Sequence, residues 1–399
     1  MKSMKQVLVS IIFFALAAAG ALSGQTAGKK PQPTGYLVIP LPNPLGGTVS
    51  GANAINDLGW PMGFAFNTNN ANAEAVVWIE GRMIKLGTVL GGTNSSVAWE
   101  SVKNNRGLIV GISDTSISQP RGENFSCVGG GFIPPSGHTC LGFLWQNGNI
   151  SPLPTLGGDN GFATGVNNAG QVIGWAETSL LDPTCASPQV LQFLPFVYSV
   201  KTQQISALQV YPGDSDGTAD TQNDQGQIAG ISGICENAVG AASATHAVFW
   251  QNSTSTPIDM GNLGGLAWNT PTSMNSKAEV VGFGNTSGDQ YAPFSPTAFY
   301  WSQGTGMQNL GTISPYPNSI AYGINNKGVI VGQALNLSTG ASHAFIYQNN
   351  IMTDLNALAI GNKAWTLVYA NDINDQGVIV GGAVNNNTNV VSAFVAIPY

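Results

Sequence analysis

Charge is the scarcest property of this chain. Lys, Arg, Asp and Glu make up 8% of its 399 residues, against roughly 25% in an average soluble domain. A long charged helix or coiled coil is excluded, because the Ala/Glu/Lys/Leu/Arg bias is missing. Basic residues number only 13, too sparse for a phosphate-gripping patch, so nucleic acid is not an expected partner. Disorder is excluded as well, since it needs low hydrophobicity with high net charge, and 43% of this chain is hydrophobic. Only three His and four Cys are present. No Gly-x-Ser-x-Gly elbow, His-Glu-x-x-His pair or phosphate-cradling glycine loop occurs, and no apolar run reaches the ~20 residues that span a bilayer.

Gly and Asn are abundant instead, at 51 and 38 residues, which marks a chain that turns often. Residues 1–23 have the pattern of a signal peptide. Lys2 and Lys5 precede the apolar stretch Val7 to Leu22, and Ala19-Gly20-Ala21 and Ala21-Leu22-Ser23 are both acceptable cleavage sites. Residues 24–35 read as a flexible leader. The expectation is therefore a secreted protein, extracellular or periplasmic. Without Lys2 and Lys5 the chain carries 11 basic and 20 acidic residues, a net charge of −9.

One motif recurs through residues 36–399: an Asn, a Gly three residues on and a second Gly seven residues on. It begins at Asn56, Asn104, Asn167, Asn223, Asn275, Asn325 and Asn374, at spacings of 48, 63, 56, 52, 50 and 49. The second Gly never varies. The first is replaced once, by Ala278 in the fifth copy. A second motif follows each first one: a small residue, two apolar residues and an aromatic, as in Ala75-Val76-Val77-Trp78 and Ala298-Phe299-Tyr300-Trp301, with Ala396 in place of the aromatic in the seventh copy. Most copies then exit through Leu-Gly-Gly or a close variant.

Each copy predicts four short strands, with the Asn-x-x-Gly segment as the hairpin between the first two. Repeats of about 50 residues with this strand content predict a seven-bladed β-propeller; the alternative is a linear β-solenoid. The termini favour a ring. Tyr36 to Leu41 looks like a surplus fourth strand, and Ala393 to Tyr399 like a third strand without its partner. Pairing them closes the last blade and removes free edges.

His246-Ala247-Val248-Phe249-Trp250 and His343-Ala344-Phe345-Ile346-Tyr347, with the Leu-Gly-Gly exits and the Ile-Asn-x-x-Gly-x-Ile-Val-Gly run, resemble the bacterial extracellular HAF (His-Ala-Phe) repeat family. The resemblance covers roughly Tyr36 to Tyr399. Five copies lack the histidine and carry Glu74, Leu141, Leu194, Thr297 and Ser392 there. It implies an exported bacterial repeat protein and brings no catalytic residues with it.

The long connections, Ile112 to Cys140, Ala176 to Phe193 and Ile231 to Thr245, all join strands two and three of adjacent copies. They should raise one wall on one face, where binding usually resides. All four cysteines lie in them. Cys127–Cys140 and Cys185–Cys235 are the expected disulfides; a zinc site would need paired C-x-x-C spacing that is missing. Trp99, Trp175, Trp268 and Trp365 fall out of the repeat register and are candidate ligand-stacking residues. Asp214, Asp216 and Asp220 are a candidate Ca²⁺ set, set against an ordinary solvated turn. Glu100, Glu123 and Asp159, with Asp214 and Asp216, could reach the same face.

The leading expectation is a monomeric, non-enzymatic propeller binding an extracellular glycan or protein. One alternative is a glycan-acting hydrolase or lyase on the same scaffold, which requires acids that converge. The other is a self-associating surface structural protein.

Overall fold

In the computed structural model, residues 33–98, 104–123, 133–236, 239–361 and 363–399 are described. The expected signal peptide and most of the leader lie outside them. The chain is all-β. Five four-stranded antiparallel sheets are formed, each from four consecutive strands. The remaining strands make one mixed sheet of nine. Within it, Gly46–Ile55, Pro61–Asn67, Ala73–Ile79 and Arg82–Lys85 run antiparallel in sequence order. So do Trp365–Ile373, Ile379–Asn385, Val391–Pro398 and Tyr36–Pro40, with the short strand Ala359–Ile360 paired parallel to Tyr36–Pro40 at the far edge. A single parallel pairing, Val49 with Val391, joins the two groups. This mixed sheet departs from the uniform four-stranded units that the repeat predicts.

The repeat motif has a specific physical role. Each Asn turns its side chain to two jobs. In the second copy, Asn104 Oδ1 accepts from the backbone N–H groups of Arg106 (2.8 Å) and Leu108 (3.0 Å), closing its own hairpin. Its Nδ2 donates to the Asn167 carbonyl at 2.9 Å, reaching the next copy. The same donation runs Asn56 to Asn104, Asn167 to Asn223, Asn223 to Asn275, Asn275 to Asn325 and Asn325 to Asn374. Asn374 then donates to Asn56 at 3.1 Å. Asp has no donor and Ser is too short for both jobs, so Asn is required. The residues that follow these asparagines, Asp57, Asp224 and Asp375 among them, line a cavity of about 70 Å³.

The two glycines answer to different constraints. The first lies in left-handed backbone at the hairpin, as at Gly328 (φ 76°). The second packs flat on strand one: a Cβ on Gly332 would lie 2.0 Å from the Ile320 carbonyl oxygen. Hydrophobic side chains between neighbouring sheets fill the core, with Trp78, Trp250, Phe143, Phe299 and Phe345 essentially buried. The indole N–H groups of Trp78 and Trp250 donate to the Pro42 and Gln209 carbonyls. Those tryptophans therefore serve packing between the sheets.

The long connections are less loop-like than expected. In the second copy the hairpin extends until Ser118 pairs with His138, and in the third until Leu181 pairs with Leu191. Cys185 and Cys235 form a disulfide that ties the third connection to the fourth. Cys140 is also disulfide-bonded; its expected partner, Cys127, lies outside the described residues. No described helix is long and apolar enough to cross a membrane.

Candidate functional site

The acids of the loop-bearing face converge. Ligand oxygens of Glu123, Asp159 and Glu177 all lie within 4.8 Å of one another. Three separate segments bring them there. Glu177 lies near the end of the buried part of the strand Gln171–Leu181, three residues beyond Gly174. Asp159 follows the Gly157-Gly158 pair at the start of the strand Gly157–Val166, in the same sheet. Glu123 arrives from the second copy's insertion.

Local chemistry explains part of this arrangement. The Gly-Gly turn leaves backbone N–H groups pointing inward, and Glu177 Oε2 accepts those of Asp159 (3.1 Å) and Asn160 (2.9 Å). Asn160 Nδ2 adds a third bond at 3.0 Å. The second copy solves the same problem with Asp114, whose carboxylate accepts from the N–H groups of Thr93 and Asn94. Capping a turn therefore accounts for one acid. It does not account for Glu123, whose Oε1 accepts from the Val190 and Leu191 N–H groups at 3.1 and 2.8 Å while Oε2 is buried without a partner. Asp159, half-buried, is paired with Arg121. Burial pushes the Glu177 carboxyl up to about 7, and the nearby Glu123 charge adds to that shift.

Beside this cluster lies a second acid pair. Asp182 and Asp216 share a hydrogen bond, and their environments drive them apart. Burial, then the bond to Asp182, lifts Asp216 to about 8. Burial acts on Asp182 in the same upward sense, but bonds from Asp216, Thr184 and Ser215 outweigh it and hold its carboxyl below the usual range. Next to these, Asp214 Oδ2 meets His246 Nδ1 at 2.8 Å, and that bond raises the imidazole above its ordinary value.

The expected Ca²⁺ set is corrected by these contacts. Asp214 serves His246 and Ser232. Asp216 accepts from the Phe193 N–H and from Ser215. Asp220 accepts from Thr218 Oγ1. These carboxylates go to different partners: Asp214 precedes the strand Asp216–Gln222, and Asp220 sits at that strand's register shift. Among the described residues, the group with metal-ligand spacing is Glu123, Asp159 and Glu177. All three offer oxygen, which suits a hard cation.

The tryptophans separate as follows. Trp175 is corrected to a core residue: it is 2% exposed, and its ring meets Phe162 edge-to-face at 4.6 Å. Trp268 is half-buried, with its N–H given to the Ala292 carbonyl and its ring against Phe294. Trp365 lines a cavity of about 260 Å³ with His343, Asn356 and Lys363. Trp99 and Glu100 lie outside the described residues. Glu177 and Asp182 were not among the expected site residues. The available signal was Glu177's register, three residues beyond Gly174, where the second copy also places an acid, Asp114, beyond Gly111.

No family model matches the sequence, and no curated protein matches it. Among solved structures, the chain is similar to the acylaminoacyl peptidase of Pyrococcus horikoshii, at 6% identity and a TM-score of 0.52, covering 92% of this chain and 52% of that one. An oligogalacturonate lyase from Vibrio parahaemolyticus is similar at 7% identity and a TM-score of 0.48, covering 92% of each chain. The β-propeller domain of the Trilobed protease from Pyrococcus furiosus is similar at 8% identity and a TM-score of 0.45, covering 84% and 90%. At these identities the likeness is one of fold. The expectation of a non-enzymatic binding protein is corrected here. The acids Glu123, Asp159 and Glu177 converge, which the enzymatic alternative needs and the binding expectation did not include.

Proposed function

We propose that the chain is an exported enzyme, a hydrolase or lyase acting on an extracellular glycan from the wall raised over copies two to four. The observation that carries this reading is the convergence of Glu123, Asp159 and Glu177 within 4.8 Å. Glycan cleavage needs paired carboxyl groups, and retaining glycosidases hold theirs roughly 5–5.5 Å apart. Asp159, half-buried, is the member through which substrate would meet the group.

The scaffold in this reading is a closed seven-bladed propeller. Seven asparagines donating in succession, the last to the first, support that count and closure. So does the pairing of Tyr36–Pro40 with Val391–Pro398. The export pattern in residues 1–23 and the Cys185–Cys235 disulfide support an oxidising compartment outside the cytosol. The HAF resemblance points the same way.

The test is a panel of neutral and acidic polysaccharides incubated with the mature protein. New reducing ends with an unsaturated product indicate a lyase; reducing ends alone indicate a hydrolase. Asp159→Asn should lower kcat by about 100-fold or more. The reading fails if no polysaccharide is cleaved, or if the variant cleaves as fast as the wild type.

A further inference from the structure

The structure assigns a divalent-cation site of the Ca²⁺ class to Glu123, Asp159 and Glu177. Glu123 is 5% exposed and its Oε2 has no hydrogen-bond partner. Gln189 is 2% exposed; its Nε2 donates to Glu177 Oε1 at 3.0 Å and to the Leu191 carbonyl at 2.9 Å, which leaves its Oε1 buried without a partner. Two acceptor oxygens are thus orphaned beside the same carboxylate. Buried acceptors without donors are rare and costly.

Charge points to the same ligand. Three carboxylates face one guanidinium, that of Arg121 on Asp159 Oδ2. A proton on one carboxyl removes one charge and supplies one donor. A divalent cation offsets both surplus charges and gives the unpartnered Glu123 carboxylate a ligand. All available ligands are oxygens, and no His or Cys belongs to the group. That donor set favours Ca²⁺, which tolerates irregular coordination and completes its shell with water.

The second copy supplies an internal control. Asp114 caps the equivalent Gly-Gly turn, and its carboxylate is satisfied by Thr93 and Asn94 alone, at 2.6 to 3.2 Å. Capping needs no ion. What the third copy adds is Glu123 and Gln189, both from long connections. The cation would pin the second copy's insertion to the third copy's sheet, so its binding should stabilise the fold.

The inference concerns the carboxylates used in the enzymatic reading but needs no turnover, so the two can fail separately. The test is calorimetry and thermal melting on the chelator-treated mature protein, with CaCl₂, MnCl₂ and MgCl₂ titrated in turn. Ca²⁺ should bind at one site per chain with a Kd of about 10⁻³ M or tighter, and should raise Tm. Glu123→Gln keeps an oxygen for Val190 and Leu191 but removes the charge. It should weaken Ca²⁺ at least tenfold, while its metal-free Tm equals or exceeds that of the wild type. Asp159→Asn, at the half-buried edge, should weaken binding in the same way. No heat and no Tm shift with any of the three metals would overturn the assignment. So would wild-type affinity in both variants.

Discussion

Asn374 donates its side-chain N–H to the Asn56 carbonyl at 3.1 Å, although 318 residues separate them. This is the same bond that each earlier motif asparagine makes to the next, across 48 to 63 residues. One side chain fixes both the local hairpin and the neighbouring copy. The two roles can be separated by substitution. Asn223→Asp keeps the oxygen that caps Gln225 and Gln227 but loses the donor to Asn275. It should cost about 1–3 kcal/mol in urea unfolding, because a buried acceptor is left unpaired. A change below a few tenths of a kcal/mol would mean that the inter-copy bond contributes nothing.

Ala278 occupies the left-handed hairpin position where six copies have Gly, with φ at 57°. The Cβ makes that conformation costly, by roughly 1–2 kcal/mol. Ala278→Gly should therefore stabilise the protein by about 0.5–1 kcal/mol, after the greater freedom of the unfolded chain is offset. Gly332→Ala tests the opposite constraint, since its Cβ would meet the Ile320 oxygen at 2.0 Å. It should destabilise by more than about 3 kcal/mol. Equal and small effects at both positions would show that the two glycines are interchangeable.

Tyr36–Pro40 pairs along its whole length with Val391–Pro398, and Tyr36 and Val38 are buried there. Deleting residues up to Pro40 exposes an edge and empties those positions. The expected result is a lower Tm by at least several degrees and early proteolysis in Val391–Pro398, read by mass spectrometry of a trypsin-free digest such as chymotrypsin. A truncated protein that melts and resists protease like the full chain would show that this pairing is dispensable.

Stability should fall as pH rises. Asp216 is lifted to about 8 in the folded protein, so between about pH 4 and 8 the native state holds a proton that the unfolded chain has released. Stability is then lost with increasing pH, by up to roughly 1.4 kcal/mol per unit for this one proton. His246, also raised, loses its contribution in the same direction as pH passes its folded value. Asp182 is held low and stays ionised in both states over this range, so it adds no slope. Asp216→Asn still donates to Asp182 and should make the profile shallower, leaving the slope that Glu177, lifted to about 7, contributes in the same direction. A Tm that climbs from pH 5 to pH 8 would contradict the assignment of the shared proton.

Much of the architecture is legible in the sequence because it rests on local chemistry repeated at a steady interval. A hairpin capped by Asn and a strand too close to its neighbour for a Cβ are written within eight residues of one another, so the motif reports them directly. The four-strand composition of the five regular sheets follows from the same spacing. The Cys185–Cys235 pairing was legible because both cysteines lie in adjacent insertions.

The site was legible only in part: Glu123 and Asp159 stood among the acids expected near that face, but Glu177 did not, because the three meet only through tertiary contacts. Glu123 finds its backbone donors at Val190 and Leu191, 67 and 68 residues away. Nothing local distinguishes it from an exposed acid in a long connection. Trp175 shows the same limit: its place off the repeat register suggested a free ring, yet the extended hairpin carries it into contact with Phe162. The sequence by itself determined the turns, the strands and their number of copies, since backbone sterics and hydrogen bonding over a few residues dictate them. Only the tertiary structure decided which acids share one desolvated space, because burial and charge proximity are properties of how separate segments pack.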